Sequence, residues 1–306
     1  MKILIICLTI LINGAVVEAA SDHYSMLQST IPAVRRQGVA GIASTRDPSE
    51  VARLGNILRN DPHFTVRAEA AEALGNIRNR DAVPYLISAL SDSNRNVKVS
   101  AVVSLGYLRD REAVEPLISL AGSEEDPGIV ISVLNVLGVI GDPAARTLLE
   151  ESLRSDNSRI RQISAQSLGR LRLSDSVNVL VNASDDPDRG VRMQAVRALG
   201  EIGDERAVRP LRRRLRSEDD REVQVAVAHS LGQLGQDDGL DIALEASRSE
   251  DQSIRRSGLR ALASVGKLTP AVESAVMEAA MSDNPAVRRD AELAASFLNI
   301  QLPSAE

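Results

Sequence analysis

The chain has no tryptophan, a single cysteine and only 2% aromatic residues among its 306 positions. A core with so few rings has to be built from Ala, Val, Leu and Ile, which favours thin helices that approach one another closely. The lone Cys7 excludes a disulfide within the chain and any Cys-x-x-Cys redox or zinc motif. Stability must therefore come from buried surface alone.

Catalytic signatures are missing as well. The sequence contains no Gly-x-Ser-x-Gly elbow, metalloprotease helix, calcium loop or glycine-rich phosphate loop. Its three histidines, His23, His63 and His229, are too scattered to form a metal site, and His229 lies in an apolar helical stretch where packing explains it. We therefore predict no catalytic residue, no metal and no cofactor.

The net charge of −6 argues against general attraction to nucleic acid or to an anionic membrane. Acidic clusters do occur where loops meet helix starts, as at Asp185, Asp186 and Asp188. Capping of free backbone N–H groups and solvation explain such clusters, and a surface Ca²⁺ at these three carboxylates is the alternative.

The first residues have the pattern of a secretory signal peptide. Lys2 precedes an apolar run over residues 3–12, and Val17 and Ala19 place small residues before a cleavage site. We predict a signal peptide over residues 1–19, cleaved after Ala19, and hence export to the periplasm or the exterior. The alternative is a membrane anchor, but the stretch is shorter than the about 20 residues a spanning helix needs.

What the sequence does contain is a repeat. Nine times, at intervals of 31 to 33 residues, a helix signature ends on a Gly, Ala or Ser. These closing residues are Ala43, Gly75, Gly106, Gly138, Gly169, Gly200, Gly232, Ala263 and Ser296. Such regular spacing predicts a stacked-repeat α-solenoid over residues 20–302, followed by a short tail at 303–306.

Residues 61–92 illustrate one unit. Asp61 and Pro62 mark a helix start, and apolar residues then recur at the helical period along two successive helices. The closing Gly75 comes late in the first helix, where we expect the second helix of the same unit to fold back against it. Glycine in this position permits close approach of the two backbones.

A cation recurs in the first turn of seven of the nine first helices, where it opposes the helix dipole. We expect each of these residues to meet a carboxylate from the turn of the neighbouring unit, which would form a structural ladder. The cations are Arg35, Arg67, Lys98, Arg161, Arg192, Arg255 and Arg288, whereas Val130 and Gln224 replace them in two units.

The pattern V-R-x-x-A-x-x-A-L-G-x-I-G-D-x-x-A-V-x-P-L, nearly complete at residues 191–211, resembles the HEAT-like repeat of the phycobilisome (PBS) lyase type. The resemblance covers about residues 25–302. It implies an all-α fold, a right-handed superhelix of stacked antiparallel helix pairs with about eight and a half repeats. Members of this group include bilin lyases, deoxyhypusine hydroxylases, related DNA glycosylases and scaffolds.

The enzymatic branches can be compared with these residues. The hydroxylases hold two irons with His-Glu pairs, but the histidines here precede Tyr24, Phe64 and Ser230. The glycosylases use aromatic side chains and a basic concave face, which this acidic, tryptophan-free chain lacks. Bilin lyases have no compact motif to compare, but they act in the cytoplasm, and the predicted export signal argues against that role.

One segment stands out from the repeat. Between Arg206 and Arg216 lie six arginines and no carboxylate. The helical wheel turns four of them outward, and the resemblance implies that second helices line the concave surface. The four are Arg206, Arg209, Arg213 and Arg216, and the adjacent second helix offers Asp238, Asp241 and Glu245.

Arginine clusters bind carboxylate and phosphate groups bidentately, so this helix is a candidate binding surface. The alternative is that neighbouring acids neutralise the cluster. We predict a non-enzymatic, exported scaffold that binds another protein or peptide through its concave face. A bilin lyase-like, pigment-handling enzyme (a lyase or isomerase) or chaperone is one alternative, and nucleic-acid or anion binding through residues 206–216 is another.

Overall fold

The structure, a computed structural model, describes residues 23–302, and every regular element in that range is helical. The predicted signal peptide and the tail at 303–306 lie outside the described residues. Eight helix pairs are followed by a ninth first helix, so the predicted all-α fold of stacked helix pairs is confirmed. None of the helices between residues 23 and 302 has the length and apolarity that a membrane crossing requires.

The first helices are 13 or 14 residues long and begin one repeat apart. They are α1 (Pro32–Thr45), α3 (Phe64–Ile77), α5 (Arg95–Leu108), α7 (Pro127–Ile140), α9 (Ser158–Leu171), α11 (Arg189–Ile202), α13 (Arg221–Gln233), α15 (Gln252–Val265) and α17 (Pro285–Leu298).

The second helices are shorter, and six of the eight follow a single 3₁₀ turn. They are α2 (Val51–Asn60), α4 (Val83–Ala89), α6 (Val114–Ser123), α8 (Arg146–Ser152), α10 (Val177–Ala183), α12 (Val208–Ser217), α14 (Leu240–Ser247) and α16 (Pro270–Ala280).

The described chain divides into two compact parts, one ending at Ala144 and the other beginning at Ala145. Within each of these two parts, successive first helices pack side by side, and each second helix packs chiefly on the first helix that follows it. The core consists of aliphatic side chains, as the shortage of rings predicted. Leu105, Leu168 and Leu199 are fully buried, whereas Tyr107 and Phe297 are 54% and 73% exposed.

Polar side chains cap the first helices from α3 onward, whereas α1 begins after Ile31 without a side-chain cap. Asp126, Asp188 and Asp220 each accept a hydrogen bond from a backbone N–H of the first turn of their helix. The prediction that Asp61 starts and caps α3 is wrong, because His63 is the N-cap residue. Asp61 instead accepts a hydrogen bond from the backbone N–H of His63 and holds an arginine of the preceding unit.

The predicted partner of the closing glycines is also wrong. A Cβ added to Gly75 would lie 2.5 Å from Ser104 Oγ, and one added to Gly232 would lie 2.6 Å from the backbone carbon of Ser264. Both contacts are with the first helix of the next unit, not with the second helix of the same unit. The reason is that each second helix packs on the first helix of the following repeat. The backbones that come closest to each other are therefore those of neighbouring first helices.

The recurring cations lie between one unit and the turn that opens the next. Arg67 donates from Nε and Nη2 to the two oxygens of Asp92, at 2.7 and 2.8 Å, and from Nη1 to the carbonyl of Asp61. Both side chains are almost buried, at 14% and 11% exposure. The other pairs of this kind are Arg35–Asp61, Lys98–Glu124, Arg161–Asp186 and Arg192–Glu218.

Two of the predicted ladder residues do not meet a carboxylate of the next turn. Arg255 lies 3.5 Å from Glu278, which belongs to α16 and is largely exposed. Arg288 donates to the carbonyl of Ser282, and no carboxylate pairs with it among residues 23–302. In the case of Arg255, the turn offers Ser282 where the turns of the five paired cations have Asp or Glu.

Candidate binding surface on the second helices

The arginine-rich segment forms one 3₁₀ turn and helix α12. Asp204 starts the turn by accepting a hydrogen bond from the backbone N–H of Arg206 at 2.9 Å. Leu211 is fully buried and fixes which side of α12 faces the core. As a result, the four arginines predicted to point outward are exposed; they are Arg206, Arg209, Arg213 and Arg216.

Arg206 is held close to its own turn. Its guanidinium donates to both oxygens of Asp204, at 2.9 and 2.8 Å, and to the carbonyl of Ser174 at 2.6 Å. The hydrogen bond from the Arg206 side chain lowers the pKa of Asp204 to about 2. This arginine therefore stabilises the turn and contributes little free charge to the surface.

Acids of the preceding unit and of the following turn neutralise part of the cluster. Arg213 and Arg214 approach Asp185 at 3.6 and 3.0 Å. Arg214 also pairs with Glu218, which Arg192 contacts at 3.0 Å. Burial would raise the pKa of Glu218, but hydrogen bonds from Arg192, the next turn and Arg214 outweigh it and lower the pKa to about 2.

Two arginines are left over. Neither Arg209 nor Arg216 has a carboxylate within 4 Å in the described part of the chain. Because Asp185 and Glu218 are each shared between two arginines, the neutralisation is incomplete. The exposed face of α12 therefore keeps positive charge and free guanidinium donors, which suit an incoming carboxylate or phosphate.

Helix α14 and the turn before it carry the predicted acidic residues, and two of them already have partners. Asp238 accepts from Arg212 at 2.8 Å, and Glu245 lies 2.8 Å from Arg221. Asp241 is exposed and pairs with no cation among residues 23–302. Arg212 thus forms the ion pair that links α12 to the turn before α14. The sequence analysis had not counted Arg212 among the outward-facing arginines.

The sequence analysis also missed two asparagines on the other side of α12. Asn178 and Asn182 are exposed on α10, each 31 residues before Arg209 and Arg213. Their side-chain amides bond to no other described residue. The signal was present in the repeat, because residues one period apart occupy equivalent positions on neighbouring second helices.

The acidic cluster at the start of α11 has separate roles for its members. Asp186 binds Arg161 at 2.8 Å, Asp188 accepts from the backbone N–H of Val191 at 3.0 Å, and Asp185 binds the α12 arginines. Among the described residues, no group of three or more His, Cys, Asp or Glu is arranged to hold a metal ion.

Sequence comparison decides the family. HEAT repeats match over residues 23–93, 83–169, 153–232 and 214–296, which together span nearly all of the described chain. The chain belongs to the HEAT-repeat family. The family-level prediction made from the V-R-x-x-A motif is therefore confirmed. No curated protein matches this HEAT-repeat protein in sequence.

Solved structures share the fold. The complex of CpcE and CpcF of phycocyanin lyase from Nostoc sp. PCC7120 is 23% identical over 73% of this chain and 91% of that chain, with a TM-score of 0.45. An engineered protein is 18% identical over 92% of this chain and 88% of its own, with a TM-score of 0.50. A chain in the structure of Kap95p with RanGDP is 13% identical over 91% of this chain and 44% of that chain, with a TM-score of 0.56. At 18% and 13% identity, the likeness to the engineered protein and to the chain in the Kap95p structure supports the fold of the HEAT-repeat protein and not a ligand.

Proposed function

We propose that this HEAT-repeat protein is an exported, non-enzymatic scaffold that binds an acidic segment of another protein through α10 and α12. The observation that supports this most is the pair of exposed arginines, Arg209 and Arg216, that no carboxylate of the described chain neutralises. Exposed guanidinium groups on a rigid helix form bidentate bonds with carboxylates at little conformational cost.

The spacing of the side chains favours an extended segment. Asn178 and Asn182 are one helical turn apart, as are Arg209 and Arg213, which corresponds to about 6 Å along each helix. Alternate residues of an extended chain are spaced by about 6.6 Å. The two amides would therefore bond alternate peptide groups of the segment, and the two arginines would bind alternate acidic side chains.

Several features favour protein over nucleic acid as the partner. The chain carries a net charge of −6, and Asp241 and Glu245 are exposed on the helix next to α12. These carboxylates repel a phosphate backbone that extends beyond the arginines. Aromatic platforms for stacking bases are also scarce, since the whole chain has two Phe and three Tyr.

The test measures fluorescence anisotropy of a labelled peptide of alternating Glu and Thr, eight residues long, added to the purified protein. We expect binding to weaken about tenfold or more in the Arg209→Ala/Arg216→Ala variant, because the two guanidinium groups that no carboxylate of the described chain neutralises are removed. Asn178→Ala/Asn182→Ala should weaken it less, since neutral hydrogen bonds are lost.

A matched control removes the same charge elsewhere. Arg80 and Arg111 are 71% and 81% exposed, so Arg80→Ala/Arg111→Ala should leave peptide affinity within about twofold of wild type. Equal losses in both double variants would reduce the effect to net charge and contradict the proposal. Preferential binding of a single-stranded oligonucleotide, with affinity falling steeply with salt, would contradict it in favour of the nucleic-acid alternative.

Export is the second part of the proposal, and it has its own test. Cell fractionation should place the protein outside the cytoplasm, and mass spectrometry of the purified protein should find Ala20 as the first residue. A cytoplasmic protein that retains Met1 would remove export from the account without affecting the binding surface.

A further inference from the structure

Three successive first helices in the part of the chain that begins at Ala145 carry a row of polar side chains. This row belongs neither to the cation ladder nor to α12. Arg197, His229 and Arg260 stand three residues before Gly200, Gly232 and Ala263, at the same place in three repeats. Helices α11, α13 and α15 pack side by side, so the imidazole lies between the two guanidinium groups. This agrees with the electrostatic influence that both arginines have on His229.

These residues line a groove of about 270 Å³. Its apolar lining comes from Met193, Val225 and Ala226, which are all nearly buried. Ser253 and Ser257 add hydroxyl groups to the α15 side. A groove of this composition provides an apolar bed for a carbon skeleton and polar groups at its margins for an anionic head.

The two arginines retain free donors. Arg197 is exposed and pairs with no carboxylate in residues 23–302. Arg260 donates from Nε and Nη2 to Asp290, at 3.1 Å each, which leaves Nη1 without a bond in the described chain. Asp290 is shared with Arg256 at 2.7 Å, so one buried carboxylate faces two guanidinium groups. The local charge is therefore positive.

Two carboxylates also line the groove. Glu222 is taken by Arg189, with 2.5 Å between Nη2 and Oε2. Glu201 lies one turn after Arg197 and forms no ion pair among the described residues. It is therefore the one acid of the groove that would oppose an incoming anion.

The histidine is oriented by its own contacts. Nδ1 of His229 lies 2.9 Å from Ser264 Oγ and 3.3 Å from the carbonyl of Arg260. Because Nδ1 is engaged there, Nε2 is the nitrogen that remains for a ligand. Burial, followed by the positive charges of Arg197 and Arg260, lowers the pKa of His229. An anion placed between the arginines would offset those charges and favour the protonated ring.

We propose that this groove binds a small oxyanion, a carboxylate or phosphate group, between Arg197 and Arg260, with His229 donating from Nε2 and the apolar part of the ligand against Met193 and Val225. The site is separate from the second-helix surface and does not depend on the proposed scaffold function. Nothing in the repeat itself requires three cationic or imidazole groups in register, because other units place Glu72, Val103 or Gln166 there.

The test uses the full protein and two probes, sodium benzoate and inorganic phosphate. The chain has three histidines, so a ¹H–¹³C correlation spectrum resolves the His229 ring. We expect one or both probes to shift this resonance in a saturable way. Benzoate, which carries the same charge at pH 6 and pH 8, should bind at least about threefold more tightly at pH 6 because the ring takes up a proton. Benzoate alone identifies a carboxylate site and phosphate alone a phosphate site.

Variants separate the site from adventitious binding. Arg197→Ala breaks no side-chain hydrogen bond or ion pair among residues 23–302 and should weaken binding about tenfold, whereas Glu201→Gln should strengthen it about twofold to threefold. Arg36→Ala on α1, which removes one exposed arginine outside the groove, should change nothing. If neither probe moves the His229 resonance, if Arg197→Ala binds like wild type, or if benzoate binds equally tightly at pH 6 and pH 8, the proposal is overturned.

Discussion

Replacing Glu218 by glutamine is the sharpest test of how the repeats are held together. The carboxylate is 1% exposed and lies where three elements meet. It accepts hydrogen bonds from Nε and Nη2 of Arg192 at 3.0 Å, from Nε of Arg214 at 2.9 Å and from the backbone N–H of Asp220 at 3.0 Å. Glutamine keeps the size of the side chain but leaves Arg192 without a counter-charge and Arg214 with only Asp185, which Arg213 also approaches.

The expected loss can be estimated in two ways. The pKa of Glu218 is about 2 instead of the ordinary 4.5, and this difference corresponds to about 3 kcal/mol of stabilisation at pH 7. Removing one partner of a buried ion pair costs about 3–5 kcal/mol in other proteins. Both estimates therefore predict that Glu218→Gln lowers the free energy of unfolding by about 3 kcal/mol.

The pH dependence has a definite sign. Because the folded-state pKa is lower than the unfolded one, the stabilisation is complete above the unfolded value of 4.5 and is lost as pH falls through the folded value of about 2. Glutamine does not titrate. The difference between wild type and variant should therefore shrink from about 3 kcal/mol at pH 7 to about 1 kcal/mol at pH 3.

Urea unfolding followed by circular dichroism at 222 nm, at both pH values, measures the difference. Repeat arrays can unfold in parts, so hydrogen exchange of α11 and α13 provides a local readout. Glu112→Gln is the control: its carboxylate is 61% exposed and pairs with Arg80, so we expect a loss below about 0.5 kcal/mol. Equal stability of Glu218→Gln and wild type at pH 7, or a constant difference down to pH 3, would refute the reasoning.

The repeat interfaces supply further predictions. Gly232→Ala should destabilise the protein by about 1–3 kcal/mol in urea unfolding, because the new Cβ would lie 2.6 Å from the α15 backbone. Gly122→Ala, whose Cβ meets nothing within 4 Å, should instead stabilise it by about 0.5 kcal/mol; losses in both would contradict the packing role. Gln224→Arg with Ser249→Asp should create a ladder pair, and a double-mutant cycle should give a coupling of about 1–2 kcal/mol; strictly additive effects would contradict it.

The fold was predictable because every repeat carries the same pattern of apolar and small residues. A helical period that recurs at 31 to 33 residues is averaged over nine copies, so departures such as Val130 or Ser296 do not obscure it. The partner of Gly75 was not predictable in the same way. The second helix of the same repeat and the first helix of the next repeat both contribute small and apolar residues. Which of them comes close to the glycine depends on how the second helix packs, and the sequence does not state that.

The candidate surface was predicted in part, for a similar reason. The helical period places Arg209 and Arg216 outward, and the structure has them exposed, with no carboxylate of residues 23–302 within 4 Å. The pairs that the other arginines form depend on side-chain reach across a turn or between units. Thus Arg206 returns to Asp204, and Arg212 takes Asp238. Such choices leave no trace in the order of residues along one helix.

Comparing units of the chain with one another recovers some of this information. Where the first-helix cation is replaced, the acid about 25 residues later is replaced too: Val130 goes with Ser155, and Gln224 with Ser249. Gln224 still donates to the carbonyl of Glu218 at 2.6 Å, in the place where Arg192 donates to that of Asp186. A buried guanidinium without its acid, or the acid alone, costs more than two neutral groups, so cation and acid are lost together in these two units, whereas Arg255 keeps its cation opposite Ser282. In the row of Arg197, His229 and Arg260, Arg197 has no acid partner among residues 23–302, and Arg260 shares Asp290 with Arg256. The row therefore keeps guanidinium donors that the fold does not use, and this is why it points to a ligand.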